Sequence, residues 1–236
     1  MDEHERRQLL ERAKDFFRDN IVDTHINSSS VAARRLNNYN VNPFLFKYLA
    51  NFLRGNGDAR SIAEALVLPR LLGSSITTSF GMRIQSMINE LFEGFGSLIP
   101  GVDIEFVDAL DDRRKYCQLK SGPNTINHHD VETIIAHFQG TRNLARTNGV
   151  EVGLNDMMVG IIYGERDDLN SHYDRLNATN PVIIGQEFWH RLTGDENFYL
   201  DLINAFGNVA LEVDGTTVLE ETIAALTIEI EEEFGL

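Results

Sequence analysis

VDIEFVDALDDRRKYCQLKSGPN, residues 102–124, decides the reading of the fold. Val102, Ile104 and Phe106 alternate with Asp103 and Glu105, the period of two that marks a strand with one face in a core. The polar run DDRR (111–114) reads as a hairpin turn, and KYCQLK (115–120) as the returning strand. On that second strand Cys117 and Leu119 share one face, which leaves Gln118 and Lys120 side by side on the other. Pairing the two strands brings Asp103 and Glu105 toward the face that carries Gln118 and Lys120. Residues i and i+2 on a strand lie roughly 6.6 Å apart, so four polar groups can gather in one small cluster.

The segments after the hairpin build outward from it. Asn127 can cap a helix that carries Asp130 and Glu132 in its first turn, where the helix dipole favours anions. That helix is expected to run to about Arg146 and stop at Asn148-Gly149. DMMVGIIYG (156–164) is a nearly continuous apolar run, the mark of a strand buried on both faces. Strand, helix and buried strand in succession predict a right-handed crossover with parallel pairing. PVIIG (181–185) reads as an edge strand, followed by helices to the end of the sequence. The fold class is therefore α/β, a mixed sheet flanked by helices, with an N-terminal helical region.

Upstream, the pattern from Asp2 to about Lys47 is helical and polar, with a loop-like stretch NSSSVAARRLNNYNVNP at 27–43. Pro43 is expected to open the helix FLFKYLANFLRG, which Gly55 and Gly57 close. Residues 58–72 form another short helix, GSSITTSFG (73–81) breaks the pattern, and a helix runs from about Met82 to Phe92. GFGSLIPG (94–101) holds two breakers and a short first strand. The division expected is a helical region over 1–75 and a core over 76–236 with an acidic helical end.

Composition narrows the classes. The chain has 236 residues, 42% of them hydrophobic, which suffices for a real core. The single cysteine, Cys117, has no partner for an internal disulfide, and its place on the apolar face makes it a small buried side chain. No apolar run approaches the ~18 residues of a membrane span, and the charged first twenty residues lack a signal-peptide core. A cytoplasmic location is the simplest expectation. No glycine-rich turn of nucleotide-binding type appears between a strand and a helix.

The formal charge of -15 argues at first sight against nucleic acid, because phosphate contacts need Lys and Arg. Its distribution matters more. Positions 1–120 hold 16 basic and 16 acidic residues, positions 121–236 only 5 basic and 20 acidic, and none is basic after Arg191. The acidic end is expected to face away from any polyanion.

Two carboxylates and an amide oxygen are hard donors suited to Mg²⁺, and an adjacent ammonium suits the charge that develops on a phosphate. That is the composition for metal-assisted phosphodiester hydrolysis. Taken singly, each residue has a plainer reading. A strand-edge Asp or Glu is usually solvated surface, and a Q-x-K triplet is common. Their joint placement before a Gly-Pro-Asn turn and a crossover helix is what carries the inference.

With PGVDIEF at 100–106 and QLK at 118–120, the arrangement resembles the PD-(D/E)XK nucleases, whose motif is an Asp at the start of one strand and a Glu/Asp-x-Lys triplet on the next. The wording GVDIEFVDAL, KYCQLKSGPNTIN and ARTN is similar to type II restriction endonucleases that cut interrupted GC-rich palindromes such as RGGNCCY or GGNCC. The likeness covers roughly residues 70–165. It implies a restriction-endonuclease-like core, with Asp103 as a metal ligand, Lys120 as the catalytic lysine and the Leu119 carbonyl as a further ligand to Mg²⁺. Gln118 departs from the usual Glu or Asp, although working variants with Gln exist in the superfamily. Glu105, or Glu90 on the preceding helix, is then the candidate to supply the missing charge.

A nuclease of this kind implies double-stranded DNA as substrate, 5′-phosphate products, a homodimer matched to a palindrome, no membrane, a prokaryotic cytoplasm and a cognate methyltransferase acting on the same site. Arg34 and Arg35, in an Asn-rich stretch, are candidates to read purine edges. Ser121, Asn124, Thr125 and Asn127 follow the catalytic strand and are candidates for the backbone near the cut. Arg142 and Arg146, spaced i and i+4, make one basic patch. His128 and His129 read as neighbours of the helix cap, and Trp189 as packing or a subunit contact. The competing functions are a structure-specific repair or recombination nuclease of the same superfamily, and a catalytically silent DNA-binding protein in which Gln118 marks a lost metal site.

Overall fold

The hairpin forms where the alternation places it. In the computed structural model, which describes residues 1–92 and 95–236, β1 (Ile104–Val107) pairs antiparallel with β2 (Arg114–Lys120), with Ile104 facing Cys117 and Glu105 facing Tyr116. Asp112 turns the hairpin with a φ of 55°, a conformation that Asp tolerates better than most residues. β3 (Met157–Ile161) and β4 (Val182–Ile184) add in parallel, giving the order β1-β2-β3-β4. The mixed sheet with helices against it is the expected fold class, and β4 is the expected edge strand.

The crossover is built by α6 (His128–Thr147). Asn127 and Asp130 close a reciprocal capping box at its start, and the cap costs about 1 kcal/mol to remove. Val131, Ile134 and Phe138 bury the face of α6 that packs, with α7 (Ser171–Asn177), on Val159, Ile161, Val182 and Ile184. This is the side of the sheet that Gln118 and Lys120 share. The other side holds Cys117 and Phe188 of α8 (Gly185–Thr193) against Gly160, which has no side chain to separate them. Trp189 is fully buried beside Phe188 and Phe198, and its Nε1 donates to the Ile162 carbonyl at 2.9 Å, so it is packing.

Upstream of the sheet lie α1 (Glu3–Phe16), α2 (Val31–Ala33), α3 (Phe46–Arg54), α4 (Ala59–Pro69) and α5 (Ile76–Leu91). Downstream of α8 lie α9 (Phe198–Glu212) and α10 (Gly215–Phe234). Gly55 closes α3 with a φ of 74°, as its place after Arg54 predicts.

Two expected breaks are helical instead. Residues 70–75 continue from α4 in wide, π-type turns directly into α5, so GSSITTSFG does not interrupt the chain. Residues 25–30 do the same ahead of α2. The Ser and Thr hydroxyls that suggested loops bond back along the helix: Thr78 Oγ1 donates to Ser74 O at 2.8 Å, Thr24 Oγ1 to Asn20 O at 3.0 Å, and Ser30 Oγ to Ile26 O. Of the stretch expected to hold the short first strand, Gly94 lies outside the described residues. Gly96 makes one antiparallel bridge to Ile104.

The chain divides into two compact units, one of residues 1–13 with 84–205 and the other of residues 14–83 with 206–236. The boundary thus differs from the expected 75/76 division, because the acidic end packs with the upstream helices. Ile223, Leu226 and Ile230 of α10 share a core with Ile62, Ala63 and Val67 of α4.

Candidate active site

Asp103 sits just ahead of β1, one residue before the Ile104–Cys117 pair. Its N–H donates to the Cys117 carbonyl at 2.9 Å, and its Oδ2 accepts from the Leu119 N–H at 2.7 Å. The carboxylate thereby ties the open end of β2 that β1 no longer covers. The ladder turns the Cys117 carbonyl toward β1, so the Leu119 carbonyl, two residues on, turns toward the same edge. Burial pushes the Asp103 carboxyl above its ordinary pKa, against the pull of the Leu119 N–H, Lys120, His137 and a hydrogen bond from the Gln85 side chain.

Gln118 is half-buried, and its Oε1 is enclosed with no hydrogen-bond partner among the described residues. A buried amide oxygen without a donor costs about 1–3 kcal/mol, so its presence asks for an electrophile. Lys120 ends β2 on the same face, near enough to Asp103 to act on its charge. Among the described residues no three His, Cys, Asp or Glu side chains converge as a metal cluster. Asp103 and the end of β2 thus offer one carboxylate, one amide oxygen without a partner among the described residues and one backbone carbonyl. That set fits Mg²⁺, which usually takes one or two protein carboxylates and keeps several waters.

The other sequence candidates lie as follows. Glu105 is on the Asp103 face, but its carboxylate accepts from Ser97 Oγ at 2.7 Å and from Arg114 at 3.3 Å. Glu90 is exposed on α5, and the residue of that helix that reaches Asp103 is Gln85. Thr125 Oγ1 donates to the Gly122 carbonyl at 2.9 Å and meets the Tyr173 hydroxyl at 3.0 Å, which locks the turn after β2. Asn127 is committed to the α6 cap, Asn124 is exposed and Ser121 half-buried. Arg142, Asn143 and Arg146 line an open cavity of about 670 Å³ on the far half of α6 together with Glu151, and among the described residues neither arginine forms an ion pair. Arg34 and Arg35 each have one: Glu221 and Glu229 of α10, both at 2.9 Å. His128 and His129 are exposed at the start of α6, as expected of cap neighbours.

Two residues near Asp103 went unread in the sequence, Gln85 and His137. Neither belongs to a motif, and only packing brings them there. Gly101 has a φ of +80°, and a Cβ at that position would stand 2.2 Å from His137 Cγ. A glycine two residues before Asp103 is the one sequence trace of that close approach.

A family model for the type II restriction endonuclease EcoO109I matches residues 25–214. The match spans most of the chain, including the hairpin, Asp103, Lys120 and the crossover. The chain belongs to the type II restriction endonuclease EcoO109I family. No curated protein matches it. Membership of a restriction endonuclease family makes a DNA-cutting hydrolase the coarse reading of this chain. Among the described residues, no helix of this family member is long and apolar enough to cross a membrane.

Proposed function

We propose that this chain is a Mg²⁺-dependent, sequence-specific endonuclease of the PD-(D/E)XK type that cuts interrupted GC-rich palindromes of the RGGNCCY or GGNCC kind. The observation that carries the reading is Asp103 bonded to the Leu119 N–H, between Gln118, whose Oε1 has no hydrogen-bond partner among the described residues, and Lys120. Asp103, Gln118 Oε1 and the Leu119 carbonyl would hold the ion. Bound there, Mg²⁺ supplies Lewis acidity and a water of lowered pKa. Lys120 places its ammonium against the scissile phosphate, where it offsets the charge that grows as the phosphorus is attacked. Asp103, fixed by the Leu119 N–H, stays oriented without reorganising during the reaction. The products are 5′-phosphate ends. The working form is a homodimer, one half-site per subunit, in a prokaryotic cytoplasm with a methyltransferase protecting the same sequence.

The test is incubation with an unmethylated sequenced plasmid in Mg²⁺ and in EDTA, followed by sequencing of the ends. Discrete Mg²⁺-dependent fragments sharing one site are expected. Random nicking, or cutting confined to branched DNA, would replace sequence specificity with a structure-specific activity. A silent DNA-binding protein is the second reading, favoured by the amide at position 118 where the family motif has a carboxylate. It requires an uncut plasmid, with cutting restored by Gln118→Glu.

A further inference from the structure

We propose that His137 is a metal ligand of this site, its Nδ1 standing in for the carboxylate that Gln118 does not supply. The proposal rests on the nuclease reading above and names a donor which that reading lacks.

Its first support is the place of His137. The ring lies over Gly101, two residues before Asp103, where any side chain would collide with it at 2.2–2.5 Å. The φ of +80° at Gly101 and the missing Cβ together clear a seat for the imidazole. The second is the state of its nitrogen. Among the described residues His137 Nδ1 is enclosed without a hydrogen-bond partner, and so is Gln118 Oε1 of β2. These are two acceptors without a donor, whereas the Asp103 carboxylate already holds the Leu119 N–H; a cation bound beside Asp103 would satisfy both. The third is which face of α6 is used. Ile134, Phe138 and Thr141 face the core, and His137 lies among them on the helix surface turned toward the sheet.

Nitrogen changes what such a site prefers. Carboxylate, carbonyl and water suit Mg²⁺ and Mn²⁺ alike, whereas an imidazole favours first-row transition metals. An Asp, Gln, His set with a backbone carbonyl has one negative charge from protein and one borderline-soft donor. It should therefore bind Mn²⁺ more tightly than Mg²⁺, while still working with Mg²⁺ at higher concentration.

The experiment is pulsed electron paramagnetic resonance on the full-length protein with Mn²⁺ alone, with histidines at natural abundance and labelled with ¹⁵N. The expected result is a nitrogen hyperfine coupling to bound Mn²⁺ that changes with the label and disappears in His137→Gln. Asp103→Asn should remove the bound ion. Mn²⁺ held in an Asp103-dependent way without histidine coupling in the wild type would overturn the proposal, and so would failure to bind Mn²⁺. The wild-type spectrum decides alone if the His137 variant does not fold. Plasmid cutting by the same preparation keeps the two readings apart. Cutting without nitrogen coupling rejects only His137, whereas no cutting in Mg²⁺ or Mn²⁺ rejects the nuclease reading beneath it.

Discussion

At the scale of single residues, the site is defined by groups held at a cost. Burial raises the pKa of Asp103, so the folded protein favours its protonated form. The stability this group contributes is present below its ordinary pKa of 3.8 and is lost as pH rises through the raised value. At neutral pH the buried charge therefore opposes folding. Asp103→Asn still accepts from the Leu119 N–H and carries no charge, so in EDTA it should melt above the wild type at pH 7. The gain should shrink toward pH 3, where both side chains are neutral; a lower melting temperature at pH 7 would contradict the burial argument. Lys120→Ala removes a strand-end ammonium that supports no core. It should abolish cutting while leaving the circular dichroism spectrum and thermal midpoint close to wild type, and cutting at near wild-type rate would dismiss the catalytic assignment.

At the scale of elements, the sheet depends on the face opposite the site being filled without excess. A Cβ on Gly160 of β3 would stand 2.4 Å from Phe188 Cε2 and 2.8 Å from Cys117 Sγ, both buried. Gly160→Ala should destabilise the sheet unit by about 1–3 kcal/mol through overpacking, read as a lower urea midpoint in the fluorescence of buried Trp189. Phe188→Leu in the same chain should recover part of the loss, since neighbouring substitutions couple. The period of two between residues 102 and 120 and the cap at Asn127 made the hairpin, the crossover and the Asp103 face legible, because strand alternation and capping are local. The helical passages at 25–30 and 70–75 were not legible, since Ser and Thr there serve the helix through i−4 bonds that composition does not reveal. Gln85 and His137 were hidden for a different reason. They reach Asp103 from helices 18 residues before and 34 residues after it, and only a solved packing brings such positions together.

At the scale of the molecule, the question is how a chain of charge -15 meets a polyanion. Many arginines of the neutral first half are already matched. Arg60, Arg34 and Arg35 pair with Glu220, Glu221 and Glu229 of α10, so the acidic end is partly neutralised within the helical unit. Such exposed pairs contribute about 0–1 kcal/mol each, and DNA phosphates would have to displace them. Arg142 and Arg146 form no ion pair among the described residues, with Glu151 the one acidic residue lining their cavity, and they lie on the same helix as His137, one to three turns further along. Each phosphate contact contributes about -0.9 to the slope of log K against log salt. With duplex binding measured by anisotropy in EDTA between 50 and 200 mM salt, the double change Arg142→Ala with Arg146→Ala should flatten that slope by about 2. Arg34→Ala with Arg35→Ala should leave it unchanged. The opposite pattern would move the phosphate track to the helical unit and leave the α6 patch as ordinary surface charge.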